Sequence, residues 1–159
     1  MEIRRAREGD MDTINRLLYQ VNNVHNAGRP DLFKKDCKKY TDEELLEIIR
    51  DDERPIFVYD DGTAVLGYAF CVFQRHDSDN NLADGTTLYI DDLCVDEDSR
   101  GKRVGTALFE YVRGFAKEQG CHNLTLNVWC LNEGAMRFYE KCGLVPQKIG
   151  MELVLEQGE

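Results

Sequence analysis

Two glycines and three cations cluster in Leu93-Cys-Val-Asp-Glu-Asp-Ser-Arg-Gly-Lys-Arg-Val-Gly-Thr-Ala-Leu108, where an apolar run gives way to helical spacing. N–H groups at a helix start have no partner within the helix, and the helix dipole makes that end attractive to anions. Gly101 and Gly105 allow a ligand to approach the backbone closely, while Arg100, Lys102 and Arg103 add local positive charge. The chemistry this fits is the holding of a phosphate or pyrophosphate. Strand-loop-helix sites of this kind serve nucleotides, dinucleotides and coenzyme A alike. The chain has no Gly-x-x-x-x-Gly-Lys-Ser/Thr, and no Gly-x-Gly-x-x-Gly at its first strand-to-helix turn.

Just upstream, Asp91 and Asp92 interrupt an otherwise apolar strand, Tyr89-Ile-Asp-Asp-Leu-Cys-Val95. Strand geometry sends adjacent side chains to opposite faces, Asp91 with Leu93 and Asp92 with Ile90 and Cys94. A carboxylate whose pKa is raised by burial can accept a proton near neutrality. Equally, a carboxylate at a sheet end can pair with an arginine or a backbone amide. Downstream, Leu124-Thr-Leu-Asn-Val-Trp-Cys-Leu-Asn-Glu-Gly-Ala-Met-Arg-Phe-Tyr-Glu-Lys-Cys-Gly-Leu144 joins a β-rich run to a short helix.

Together these segments resemble the GNAT N-acetyltransferase family. Asn132, Ala135, Phe138-Tyr139, Lys141 and Gly143-Leu144 reproduce the pattern of the family's C-terminal half. Arg100-Gly-Lys-Arg-Val-Gly105 lies where the family has Arg/Gln-x-x-Gly-x-Gly/Ala, with Arg103 in place of the first motif glycine. Element order agrees over nearly the whole chain, and the motifs agree over about residues 87 to 145. The resemblance implies an α/β fold, the GNAT-like acyl-CoA N-acyltransferase fold, with a mixed, mostly antiparallel sheet of six to seven strands flanked by about four helices.

It also implies an activity: direct transfer of an acetyl group from acetyl-CoA to a primary amine in a ternary complex, without a covalent enzyme intermediate or a metal. The strand from about Leu88 to Val95 would splay from that at about Leu124 to Trp129, admitting the pantetheine arm. Leu93, Cys94 and Val95 would line the cofactor, Arg100, Gly101, Lys102, Arg103, Val104, Gly105 and Thr106 would hold its pyrophosphate, and Asn132 would join them. Tyr139 takes the role of general acid toward the departing thiolate. Polyamine acetyltransferases look similar at the acidic pair and implicate the first acid, so Asp91 is the first candidate for the base and Asp92 the second. The expected acceptor is a small cationic amine. A protein N-terminus or lysine is the enzymatic alternative, and a non-catalytic acyl-CoA-binding regulator is the alternative of another class.

The elements that must position these residues are legible in the periodicity. Ile3 opens a strand, and Ile14, Leu17, Leu18 and Val21 recur at helical spacing. From Asn22 to Lys39 the pattern blurs, and Asn22, His25, Arg29 and Asp31 fall in the region that forms the acceptor wall in the family. Thr41 with Glu44 reads as a capping box for a helix to about Asp51. Two β-rich runs, 55–60 and 64–73, flank Asp60-Asp61-Gly62-Thr63, a hairpin signal. A polar loop spans His76 to Gly85, a strand Thr87 to Val95, a helix Val104 to Gln119, a strand Leu124 to Trp129, a helix Glu133 to Lys141, and a last strand Gln147 to Leu155.

The whole chain of 159 residues reads as one domain, 42% hydrophobic and 31% charged. A net charge of −10 disfavours nucleic acid and suits cationic partners. No apolar run is long enough for a membrane span and the start lacks a secretory core, so a cytoplasmic protein is expected. Six cysteines without a Cys-x-x-Cys pair read as reduced, mostly buried thiols, Cys94 and Cys142 as packing residues. An open sheet edge makes a homodimer an expectation.

Overall fold

In the computed structural model, described over residues 1–155, the chain forms two compact units, Met1–Asn127 and Val128–Glu159. The first is built on a sheet of strands β1 (Glu2–Arg5), β2 (Ile56–Asp60), β3 (Val65–His76), β4 (Gly85–Val95) and β5 (Asn123–Leu126), in that spatial order. Pairing is antiparallel from β1 to β4, and β5 joins β4 in parallel. At the β2–β3 hairpin, Asp61 Oδ1 accepts the Thr63 and Ala64 N–H groups while Gly62 takes a φ of 101°.

Helices α1 (Met11–Gly28) and α2 (Asp42–Ile49) cover one face. Ile14, Leu17, Leu18, Leu45 and Ile48 pack there against Ile56, Val58, Tyr68 and Phe70. α2 begins at the expected capping box: Thr41 Oγ1 accepts the Glu44 N–H at 3.1 Å, and Glu44 Oε1 accepts the Thr41 N–H at 3.2 Å. Helix α3 (Val104–Glu118) covers the other face, where Phe115 meets Phe57 and Phe73. No helix among the described residues is long and apolar enough to cross a membrane.

The second unit carries helix α4 (Glu133–Lys141). The sheet of the first unit has five strands where six to seven were expected, and among the described residues no strand is assigned over 147–155. α1 also runs on to Gly28, placing Asn22 and His25 on the helix and not in a loop after it. All six cysteines are free thiols, but only Cys71 and Cys94 are buried, which corrects the expectation that most would be.

Candidate functional site

β4 has one residue more than its partner at Asp91. β3 pairs Phe70 with Asp92 and Cys71 with Ile90, leaving Asp91 as the extra residue of a β-bulge. A bulge resets strand alternation by one. Leu88 and Ile90 lie on the α3 face, with Phe73 opposite Leu88 touching Phe115. Beyond the bulge, Asp92 and Cys94 lie on the α1/α2 face, where the Cys94 thiol reaches the Leu17 carbonyl. Asp91 faces that side too, so the two carboxylates share one face instead of opposing ones, and Asp92 does not share the face of Ile90.

Two tyrosines hold the pair. The Tyr40 hydroxyl donates to Asp91 Oδ2 at 2.5 Å, and the Tyr68 hydroxyl donates to Asp92 Oδ2 at 2.6 Å. Lys39 Nζ donates to Asp91 Oδ1 at 2.9 Å. Tyr40 lies nearly parallel to Phe70 at 5.6 Å, and Phe70 meets Tyr68 edge-on at 4.8 Å. This aromatic row fixes both hydroxyls by packing.

Tyr40 and Lys39 reach Asp91 because the loop after α1 is tied back to that helix. Asn22 and Asn26 donate to the carbonyls of Lys34 and Phe33, and Asn23 exchanges hydrogen bonds with Asp36. His25 packs on Phe33, and burial lowers its pKa. Arg29 pairs with Asp31 at 2.7 Å. In this way the Asn22–Asp31 region acts through the loop it holds.

Burial dominates the electrostatics. It lifts the Asp92 carboxyl to about 6, against the opposing Tyr68 hydrogen bond and the Lys39 charge. Burial, followed by the nearby carboxylates, keeps the Tyr68 and Tyr40 phenols well above their ordinary range. The Cys94 thiol is pushed to about 12, which leaves it protonated and a packing residue.

β4 pairs with β5 only from Thr87 to Ile90, ending where the bulge begins. Leu93 to Val95 lie beyond that ladder and run into the candidate phosphate loop. Asp96 anchors the loop by accepting the Asp98 N–H and pairing with Arg16 of α1 at 2.8 Å. Gly101 has a φ of 87°. Arg103, at the position of the first motif glycine, caps α3 at a φ of 60°, a left-handed conformation that explains why glycine suits this position.

The first helical bond runs from the Ala107 N–H to the Arg103 carbonyl, so the N–H groups of Val104, Gly105 and Thr106 precede the ladder of α3. Gly67 of β3 permits this end to sit close: a Cβ there would meet the Cys94 carbonyl oxygen at 2.8 Å and Val104 at 3.2 Å. Preceding amides, a left-handed cap and adjacent Arg100, Lys102 and Arg103 fit a pyrophosphate.

In the second unit, Asn132 Oδ1 accepts the Ala135 N–H at 3.1 Å and so caps α4. Tyr139 lies on that helix with Phe138 edge-on at 5.1 Å. The residues that sequence reasoning missed are Lys39, Tyr40 and Tyr68. Nothing in their spacing announces them, because they meet the acidic pair from 52, 51 and 24 positions away.

A family model for the acetyltransferase (GNAT) family matches residues 18–144. Thialysine N-epsilon-acetyltransferase of Bos taurus is 28% identical over 89% of this chain and 82% of its own. Glucosamine 6-phosphate N-acetyltransferase of Arabidopsis thaliana is 29% identical over 53% of this chain and 63% of its own. The chain thus spans less than two thirds of the Arabidopsis relative. A crystal structure of a mutant BH1408 protein from Bacillus halodurans superimposes with a TM-score of 0.93 at 28% identity, covering 98% of this chain and all of that one.

Proposed function

The chain belongs to the acetyltransferase (GNAT) family, and from that premise we propose that it transfers an acetyl group from acetyl-CoA to a small cationic primary amine by direct attack in a ternary complex. The observation that carries the acceptor class is that Asp91 already holds an ammonium, that of Lys39, beside a second carboxylate on the same face. Lys39 remains about half exposed and can yield its place to a ligand ammonium. The net charge of −10 favours approach of such a cation. Two relatives are named for thialysine and glucosamine 6-phosphate, which supports a small acceptor.

Acetyl-CoA, when bound, supplies the acetyl group as a thioester. The α3 amides, Arg100, Lys102 and Arg103 hold its pyrophosphate, and backbone groups of Leu93 and Val95 beyond the β5 ladder bind the arm and polarise the carbonyl. Asp91 holds the acceptor ammonium. Asp92, lifted to about 6, accepts its proton through water, while Asp91 remains the alternative base. Tyr139 offers its hydroxyl proton to the leaving sulfur.

The test is thiol release from acetyl-CoA across polyamines, amino sugars, amino acids, aminoglycosides and peptides. A small cationic amine should give the highest kcat/KM, and a peptide in that position would overturn the acceptor class. Lys39→Met should lower KM for the best cation about 2- to 5-fold with kcat little changed, because an exposed ion pair no longer competes. Tyr139→Phe should lower turnover roughly 10- to 1,000-fold while acetyl-CoA affinity holds. Wild-type turnover in that variant would return Tyr139 to a packing role.

A further inference from the structure

Adjacent lysines in the loop after α1 take separate carboxylates. Lys38 Nζ pairs with Asp42, in the first turn of α2, and donates to Asn15 Oδ1 at 2.8 Å. Lys39 Nζ turns to the sheet instead and donates to Asp91 Oδ1 at 2.9 Å. The other oxygen of Asp91 accepts the Tyr40 hydroxyl, so consecutive residues of one loop grip one carboxylate. Stacking of Tyr40 on Phe70 and the asparagine ties from α1 hold that loop in place. Lys39 is nonetheless not a buried structural charge, since its side chain is 48% exposed.

Asp91 also marks the point where β4 parts from β5, whose ladder ends at Ile90. Leu93, assigned above to the thioester arm, lies two residues further along β4, a span of about 7 Å. The flexible aliphatic stem of a lysine covers such a distance without a backbone shift. Asp92 stands close enough that the Lys39 charge opposes the lift that burial gives its carboxyl. An amine of this chain therefore occupies the place assigned to the acceptor amine, with the same candidate base beside it.

We propose, resting on the acetyl transfer proposed above, that Lys39 is itself an acetyl acceptor, modified by acetyl-CoA bound to the same copy of the chain. The Lys39 ammonium first gives one proton to Asp92 through water. The Nζ lone pair then forms the bond to the acetyl carbonyl carbon, and the bond from that carbon to sulfur breaks with its electron pair left on sulfur. A second proton leaves the nitrogen and ends on that sulfur. The products are acetyl-Lys39, the free thiol of coenzyme A and one proton passed on to solvent, with nothing oxidised or reduced. Because the ammonium becomes a neutral amide, Asp91 loses its internal cation and its Oδ1 is opened to an incoming one.

Incubation of the full chain with acetyl-CoA and no added amine, followed by intact-mass and peptide-mapping mass spectrometry, tests this. The mass of a single acetyl group is expected on Lys39. Its first-order rate should be independent of protein concentration and about 10-fold or more above that of the exposed Lys34 and Lys35. Asp91→Asn, which keeps an acceptor for Tyr40 but removes the anionic hold, should bring Lys39 down to the rate of those two lysines. Labelling of Lys39 no faster than theirs, a rate that rises with protein concentration, or fast labelling that survives Asp91→Asn overturns the proposal. The wild-type measurements decide even if the variant fails to fold. Thiol release with small amines separates this inference from the reading it rests on. Release with Lys39 left unmodified overturns the inference alone, whereas neither release nor labelling overturns both. Labelling in a chain that acetylates no small amine upholds Lys39 as an acceptor and removes the small-amine class.

Discussion

Burial lifts the Asp92 carboxyl to about 6, above the ~3.9 of an aspartate in an unfolded chain. Between those values the folded protein keeps a proton that the unfolded chain has released, so stability from this group falls as pH rises through the interval. Its contribution is fully present below about pH 4 and lost above about pH 6. Asp92→Asn keeps an acceptor for the Tyr68 hydroxyl but cannot ionise. Near pH 8 the variant should unfold with on the order of 1–3 kcal/mol more stability than wild type, a gain that vanishes toward pH 4 in thermal melts. A gain independent of pH would mean that Asp92 is not held near 6. The acidic pair was legible in the sequence because charge inside an apolar strand is conspicuous. Its shared face was not, because the bulge at Asp91 exists only through the register with β3.

The candidate phosphate loop belongs to the scale of the element. Gly105 stands half-buried in the first turn of α3, whose opening N–H groups precede the helical ladder. Gly105→Asp puts a side chain and a negative charge where a pyrophosphate must approach. Acetyl-CoA affinity should fall about 10- to 100-fold by calorimetric titration, with melting little changed. Unchanged affinity in a folded variant would remove this loop from the cofactor site. The loop, α3, the hairpin and the α2 capping box were all readable, since each rests on residues within a few positions of one another. The end of α1 was not, because Asn22, Asn23 and Asn26 read as loop formers until their side chains are seen holding residues 33–36 from the helix. β5 ends at Leu126 and not at Trp129, since its ladder to β4 stops at Ile90, one residue before the bulge.

For the whole molecule, the net charge of −10 sets up a field that draws cations and repels anions. Salt screens such a field over about 10 Å at 0.1 M and about 3 Å at 1 M. For the best small cationic amine, kcat/KM should therefore fall several-fold between low and high salt in steady-state assays of thiol release. An unchanged value would argue against the molecular charge assisting the approach of the acceptor.

By itself the sequence determined the family, the order of strands and helices as far as α4, a glycine-bearing loop before α3 and the presence of two carboxylates before it. These are local properties: a helix start, a hairpin or a glycine-bearing turn is specified by neighbours in the chain. Tertiary structure decided which carboxylate face is shared, that Lys39 and Tyr40 close on Asp91, and that Tyr68 closes on Asp92. Side-chain alternation can be counted along one strand, but register, burial and edge exposure depend on what lies alongside it, and that is set by segments dozens of residues away.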